Sequence, residues 1–147
     1  MLGACGGRGG EGGGQSVRSA KPRDWSGTVT RVTDGDTLSI APASGAPRKV
    51  RIDGIDAPES CQTGGAAAGA ALRRKVMGQR VQVATRALDM YQRELATVRI
   101  DGQDVGAWLV EQGHAWSYRY REDNGPYLRE EQRARRATRG VFADRRA

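Results

Sequence analysis

Apolar and polar positions along residues 25–142 follow two different rhythms. "WSGTVTRV" and "TLSIA" are short β-branched runs separated by Thr33-Asp34-Gly35-Asp36. Asp-Gly between such runs predicts a hairpin, because glycine and aspartate tolerate the backbone angles of a tight turn. "RKVRID" alternates, with Val50 and Ile52 on one face and Arg51 and Asp53 on the other, which predicts a third strand. "GGAAAGAALRRKVMG" changes rhythm: Leu72 and Val76 stand at helical spacing and Gly78 offers a stop. "RVQVATRAL" and "ELATVRID" return to strand character. "DVGAWLVEQG" places Val105, Trp108, Leu109 and Gln112 in helical register, with Gly113 after the end. "YLREEQRARRATRG" predicts a highly charged third helix ending near Gly140.

Several short strands with interspersed helices predict an α+β domain. The expected architecture is a five-stranded β-barrel of the OB-fold type with about three flanking α-helices, an arrangement that commonly presents a face to oligonucleotides. The 147 residues suffice for one such domain and a tail. Residues 1–24 are Gly-rich, polar and without periodicity, and are expected to form a disordered tether, since they bury too little apolar surface to offset ordering entropy. The folded domain is expected over residues 25–142 and a short basic tail over 143–147.

Charge narrows the partners. Twenty-one Arg and three Lys against 17 acids give a formal net charge of +7 and a pI near 10.1, which favours a polyanion. No apolar run approaches the roughly 18 residues of a membrane span. "LGAC" at residues 2–5 resembles a bacterial lipobox, so Cys5 would carry a lipid anchor if a signal segment lay upstream. Secretion or residence in the cell envelope is the corresponding expectation, with a cytoplasmic location also open. Cys5 and Cys61 are the only cysteines, and His114 is the only histidine, so a zinc or iron site built on Cys and His is not expected.

Candidate chemistry lies in the carboxylates. Asp34 and Asp36 flank Gly35 in the predicted hairpin, and Asp56 and Glu59 flank a Pro-containing turn after the third strand. A hard cation such as Ca²⁺ takes oxygen ligands, which Asp36, Asp56 and the backbone carbonyl of Ala57 can supply, leaving positions for water and phosphate. Read alone, Asp34-Gly35-Asp36 is a plain turn before it is a metal site, and the spacing is not that of an EF-hand. The arginines add meaning. Arg51 sits on the polar face of its strand, and Arg93 lies at the turn into another in "LDMYQRELA". Phosphodiester cleavage places extra charge on phosphorus, which guanidinium forks stabilise. Glu59 is placed to align a water or take its proton. His114, in "EQGHAW", is read as structural.

"VTDGDTLSI", "VRIDGIDAPES", "DMYQRELATV" and "LVEQGHAWSYRY" occur in this order over residues 25–142. Together they resemble the staphylococcal nuclease family. That resemblance implies an OB-fold, a single Ca²⁺, and hydrolysis of DNA and RNA to 3′-phosphorylated products. It implies Asp36 and Asp56 as metal carboxylates and Ala57 as the metal-binding carbonyl. Glu59 falls on the family's proposed general base, and Arg51 and Arg93 on its phosphate arginines. Tyr91, Tyr118 and Tyr120 fall on its substrate-binding tyrosines, where stacking would tolerate any base. DNA or RNA, preferably unpaired, is the expected partner of a monomeric enzyme.

The chain also departs from the family pattern. Ala57 replaces a hydroxyl residue, Gln92 stands where many relatives have glycine, and the segment between Glu59 and Arg93 is shorter. The Gln92 change bears on the turn that places Arg93. Residues 128–147 carry seven Arg against three acids, which reads as an ion-paired helix or as extra phosphate attraction. A non-catalytic nucleic-acid-binding barrel and an envelope protein binding anionic lipid are the rival readings.

Overall fold

The structure is a computed structural model that describes residues 17–119 and 123–143. Alternating apolar side chains turn one face of each strand inward, and the strands close around them. The elements are β1 (Val17–Asp34), β2 (Thr37–Pro42), β3 (Arg48–Ile52), β4 (Ile55–Asp56), α1 (Gly65–Val76), β5 (Arg80–Asp89), β6 (Glu94–Ile100), β7 (Gln103–Asp104), α2 (Val105–Glu111), β8 (Trp116–Ser117), α3 (Leu128–Arg136) and a 3₁₀ turn (Gly140–Phe142). The main sheet runs β3-β2-β1-β5-β6-β7, and a parallel β3–β6 pairing closes it into a five-stranded barrel. With three helices around it, this is the expected OB-type α+β architecture.

Leu38, Ile40, Val50, Ile52, Val81, Val83, Ala96 and Val98 fill the barrel, and Leu72, Val76, Leu109 and Val110 cover it from α1 and α2. Burying a Leu, Ile or Val side chain contributes about 1.5–3 kcal/mol, so this aliphatic set supplies the main driving force for closure despite few aromatics. Asp104 caps α2 by accepting the Ala107 N–H at 3.1 Å. The α3 arginines are laced to acids, Arg133 to Glu111 at 2.7 Å and Arg135 to Glu131 at 3.2 Å. Glu131 is buried and also takes the Ser117 N–H at 2.9 Å, which ties α3 to β8.

Strand β1 starts earlier than the expected domain boundary at Trp25. Residues 17–24 are strand rather than tether, with Val17 opposite Asp89 and Asp24 opposite Ala84 on β5. Backbone pairing with a neighbour needs no apolar pattern, so a reading based on burial missed it. The remainder of the expected tether, residues 1–16, and residues 144–147 of the tail lie outside the described residues. No helix among the described residues is long and apolar enough to cross a membrane. Cys61 is disulfide-bonded. The chain's only other cysteine, Cys5, also lies outside the described residues.

Candidate active site

The β1–β2 hairpin and the short β4 strand bring the predicted carboxylates together. Gly35 lets the hairpin turn press onto its neighbours, since a Cβ there would stand 2.7 Å from the Ala68 Cβ and 2.9 Å from the Ala57 Cβ. Asp36, 4% exposed, receives the Ala57 N–H at 3.1 Å on Oδ2 and the Thr37 hydroxyl at 3.0 Å on Oδ1. Its own N–H donates to Asp34 Oδ1 at 3.2 Å. Burial works against its charge. The Arg51 guanidinium, the Asp34 carboxyl and the hydrogen bonds from Ala57 and Thr37 outweigh that, and hold the Asp36 carboxyl below the usual aspartate value.

Arg51 joins this cluster from β3. Its Nη2 stands 3.5 Å from Asp36 Oδ2 and 4.0 Å from Asp56 Oδ1, and Nη1 donates to the Ile52 carbonyl at 3.0 Å. The Tyr118 ring centroid lies 5.7 Å from the same guanidinium. The Tyr118 N–H donates to the Gly54 carbonyl at 2.8 Å, and β8 pairs with β4 through Ile55–Ser117 and Asp56–Trp116. One ribbon therefore carries Asp56, Ala57 and Tyr118 past Arg51. Tyr120 lies outside the described residues.

Arg93 comes from the β5–β6 turn and is also buried. Asp89, at 2% exposure, organises the turn. Its Oδ1 accepts the N–H groups of Tyr91 and Arg93, both at 2.9 Å, and its Oδ2 accepts Arg93 Nε at 2.8 Å. Gln92 takes a left-handed φ of 64° within this turn, a conformation that glycine adopts more readily. The Tyr91 ring, exposed to solvent, lies 5.2 Å from the Arg93 guanidinium. Sequence reasoning named Arg93 and missed Asp89. The available signal was a carboxylate four residues ahead of the arginine in "LDMYQRELA".

Glu59 is positioned by the loop leading into α1. Its N–H donates to Gln62 Oε1 at 2.8 Å, and its carbonyl accepts the Gln62 N–H at 2.8 Å. Gly65 packs directly beneath, and any Cβ there would collide with the Glu59 carbonyl. His114 sits elsewhere, with its ring centroid 6.4 Å from that of Trp108 and its backbone N–H donating to the Leu109 carbonyl at 2.8 Å. Burial, and then the Arg74 charge, lower its pKa below the ordinary 6.5.

The donor set bears on the implied cation. Among the described residues no three His, Cys, Asp or Glu side chains cluster as a metal site. Two hard carboxylates, Asp36 and Asp56, nonetheless converge within reach of one guanidinium, and the Ala57 backbone adjoins Asp36. This chemistry fits an oxygen-seeking cation that leaves several positions to water and substrate.

A family model of staphylococcal nuclease homologues matches residues 49–144. The chain is 34% identical to a Haemophilus influenzae protein named as an uncharacterized endonuclease, over 79% of this chain and 65% of that one. It is 33% identical to the micrococcal nuclease of Shigella flexneri, over 82% of this chain and 75% of that one. Identity to an Escherichia coli protein also named as an uncharacterized endonuclease is 37%, over 82% and 79%. The chain belongs to the staphylococcal nuclease family. It is a nuclease of that type, a hydrolase of phosphodiester bonds.

Proposed function

We propose that the chain is a Ca²⁺-dependent, sequence-tolerant nuclease that cuts DNA or RNA, preferably unpaired, to 3′-phosphorylated products. The observation that carries this reading is the convergence of Asp36 and Asp56 on the buried Arg51, at 3.5 and 4.0 Å. Asp36, Asp56 and the Ala57 carbonyl would hold the cation. The chemistry that Ca²⁺ supplies there is neutralisation of phosphoryl oxygen charge.

Arg51 and Arg93 grip the phosphate and match the extra negative charge that develops on it. Glu59 aligns a water and accepts its proton at a carboxylate oxygen as that water attacks phosphorus; the P–O5′ bond breaks, and the departing 5′ oxygen takes a proton from water to leave as a hydroxyl. Tyr91 and Tyr118 place the flanking nucleotide by stacking or by a hydroxyl contact, with Tyr120 assigned the same role. Neither interaction reads base edges, which is why sequence tolerance follows.

The same proposal places a monomeric enzyme outside the cytoplasm. The disulfide at Cys61 supports an oxidising compartment. A lipid on Cys5 would require that its sulfur not be the partner of Cys61, so mass determination of the intact protein separates the two.

The deciding test is cleavage of single-stranded DNA by the wild type and Glu59→Gln, with Ca²⁺ and then with EDTA. Cleavage that needs Ca²⁺ and falls by at least about 10³-fold in the variant is expected, toward the upper end of what a general base contributes. Metal-independent cleavage, or equal activity in the variant, would sink the mechanism. Binding without cleavage would favour a non-catalytic barrel.

A further inference from the structure

Glu94 follows Arg93 directly, yet it has no part in the chemistry above. It is 7% exposed, and its carboxylate is engaged at both oxygens. Thr85 donates its hydroxyl to Oε1 at 2.6 Å, and Arg48 donates Nε to Oε2 at 2.6 Å. Trp25 closes the ring: its Nε1 donates to Thr85 Oγ1 at 3.0 Å, and the Arg48 guanidinium lies 4.0 Å above its ring centroid. Four side chains from β1, β3, β5 and β6 thus form one polar circuit near the closure of the barrel.

Two features make this more than a satisfied buried carboxylate. First, Arg48 lies on β3 three residues before Arg51, and Glu94 opens β6 directly after Arg93, the last residue of the β5–β6 turn. Second, those strands meet only by the parallel β3–β6 pairing, with Val50 opposite Glu94, Arg51 opposite Leu95 and Ile52 opposite Ala96. Three register pairs are a short ladder, and a parallel strand pair is less stable per residue than an antiparallel one. A part-buried, charge-assisted bond from Arg48, just ahead of the first rung, to Glu94 on that rung braces the register beside the ladder.

We propose that the Glu94–Arg48 pair, locked by Thr85 and Trp25, is a positioning clamp that sets Arg51 relative to Arg93. This rests on the reading of those two arginines as phosphate ligands. Glu94 and Arg48 touch no substrate. They act on catalysis by fixing the register of the strand that carries Arg51 against the one that Arg93 leads into, where a shift of about 1 Å costs about 100-fold in rate.

The test compares Glu94→Gln and Arg48→Lys with wild type in the full chain, measuring kcat and KM on a single-stranded oligonucleotide with Ca²⁺. Gln presents an acceptor to only one of the two donors, and Lys loses both the Nε–H bond and the stack on Trp25. Expected is a fall in kcat of about tenfold or more with KM within about threefold, the signature of an interaction made in the transition state. The same two changes are then made in an Arg93→Lys background. There the clamp's effect is expected to shrink below about threefold, because the fork that it places is already gone. Unchanged kcat in both folded single variants, or the same loss in both backgrounds, would overturn the clamp. Arg48 is partly exposed, so Arg48→Lys keeps the question open should Glu94→Gln fail to fold. A wild type that cuts beside equally active variants defeats the clamp alone. An inert wild type would defeat the nuclease reading and the clamp with it.

Discussion

The two guanidiniums proposed for phosphate are held in opposite ways. Arg93 has a carboxylate of its own, Asp89, which also fastens the turn that delivers it. Arg51 shares its carboxylates, Asp36 and Asp56, with the proposed cation, at the looser distances of 3.5 and 4.0 Å. The first arrangement is a rigid mount, because every bond that Asp89 makes to the turn is local to four residues. The second is a competition, because a divalent charge on Asp36 and Asp56 weakens their hold on a guanidinium. Arg93 should therefore be in place at all Ca²⁺ levels, and Arg51 should respond to Ca²⁺.

The harshest way to break this contrast is to remove the rigid mount. Asp89→Ala takes the carboxylate from a buried cation and frees two backbone N–H groups, so a loss of about 3–5 kcal/mol in stability is expected. Chemical denaturation measures it, and a loss under about 1 kcal/mol, no more than an ordinary hydrogen bond, would mean that the turn does not depend on Asp89.

Exchanging each arginine for lysine is the sharper test. Both changes remove a planar fork, and each is expected to lower kcat by about 10²–10³-fold. They should differ in metal response. Arg51→Lys is expected to change the Ca²⁺ concentration for half-maximal activity, whereas Arg93→Lys leaves it where it was. Equal shifts would show that the two arginines see the cation alike.

A smaller effect comes from Gln92. A non-glycine residue at a left-handed φ costs about 1–2 kcal/mol, and Gln92→Gly should recover about 1 kcal/mol as a higher Tm. Activity should hold, because glycine readily adopts the φ that the turn already has.

The smallest effect is a control away from both arginines. His114 has a lowered pKa, so the fold prefers its neutral ring. Stability from it is complete above the ordinary 6.5 and is lost as pH falls through the lowered native value. Arg74 is the charged group acting on it, and Lys75 lies over the neighbouring Trp108 ring. His114→Gln should flatten the decline in Tm below pH 6.5 and leave kcat unchanged at neutral pH. A steeper decline would reverse the sign assigned to this histidine.

Much of this molecule was legible in its residues. Alternation in "RKVRID" placed Arg51 on the polar side of a strand, and Asp-Gly predicted the hairpin that carries Asp36. The stops at Gly78 and Gly113 fell where α1 and α2 end, with both glycines at positive φ. These features are local, governed by side-chain period and turn chemistry within a few residues. Glu59 and the Asp36–Asp56 pair were legible as candidates, because they flank turns close in sequence to Arg51 and fall within the motifs that resemble the family.

What the residues could not reveal is who partners whom across the barrel. Asp89 carried no assigned role until the β5–β6 turn wrapped around it. Glu94 carried no assigned role in the sequence, and only the parallel closure of β3 on β6 buried it against Arg48 and Thr85. Residues 17–24 showed no apolar pattern, and only the neighbouring backbone of β5 made them strand. The sequence by itself determined the elements, the hairpin and the chemistry on offer, because those follow from interactions between near neighbours. Tertiary structure alone decided which carboxylate holds which arginine, because burial removes the water that would otherwise satisfy each charge and leaves a partner brought in from another strand.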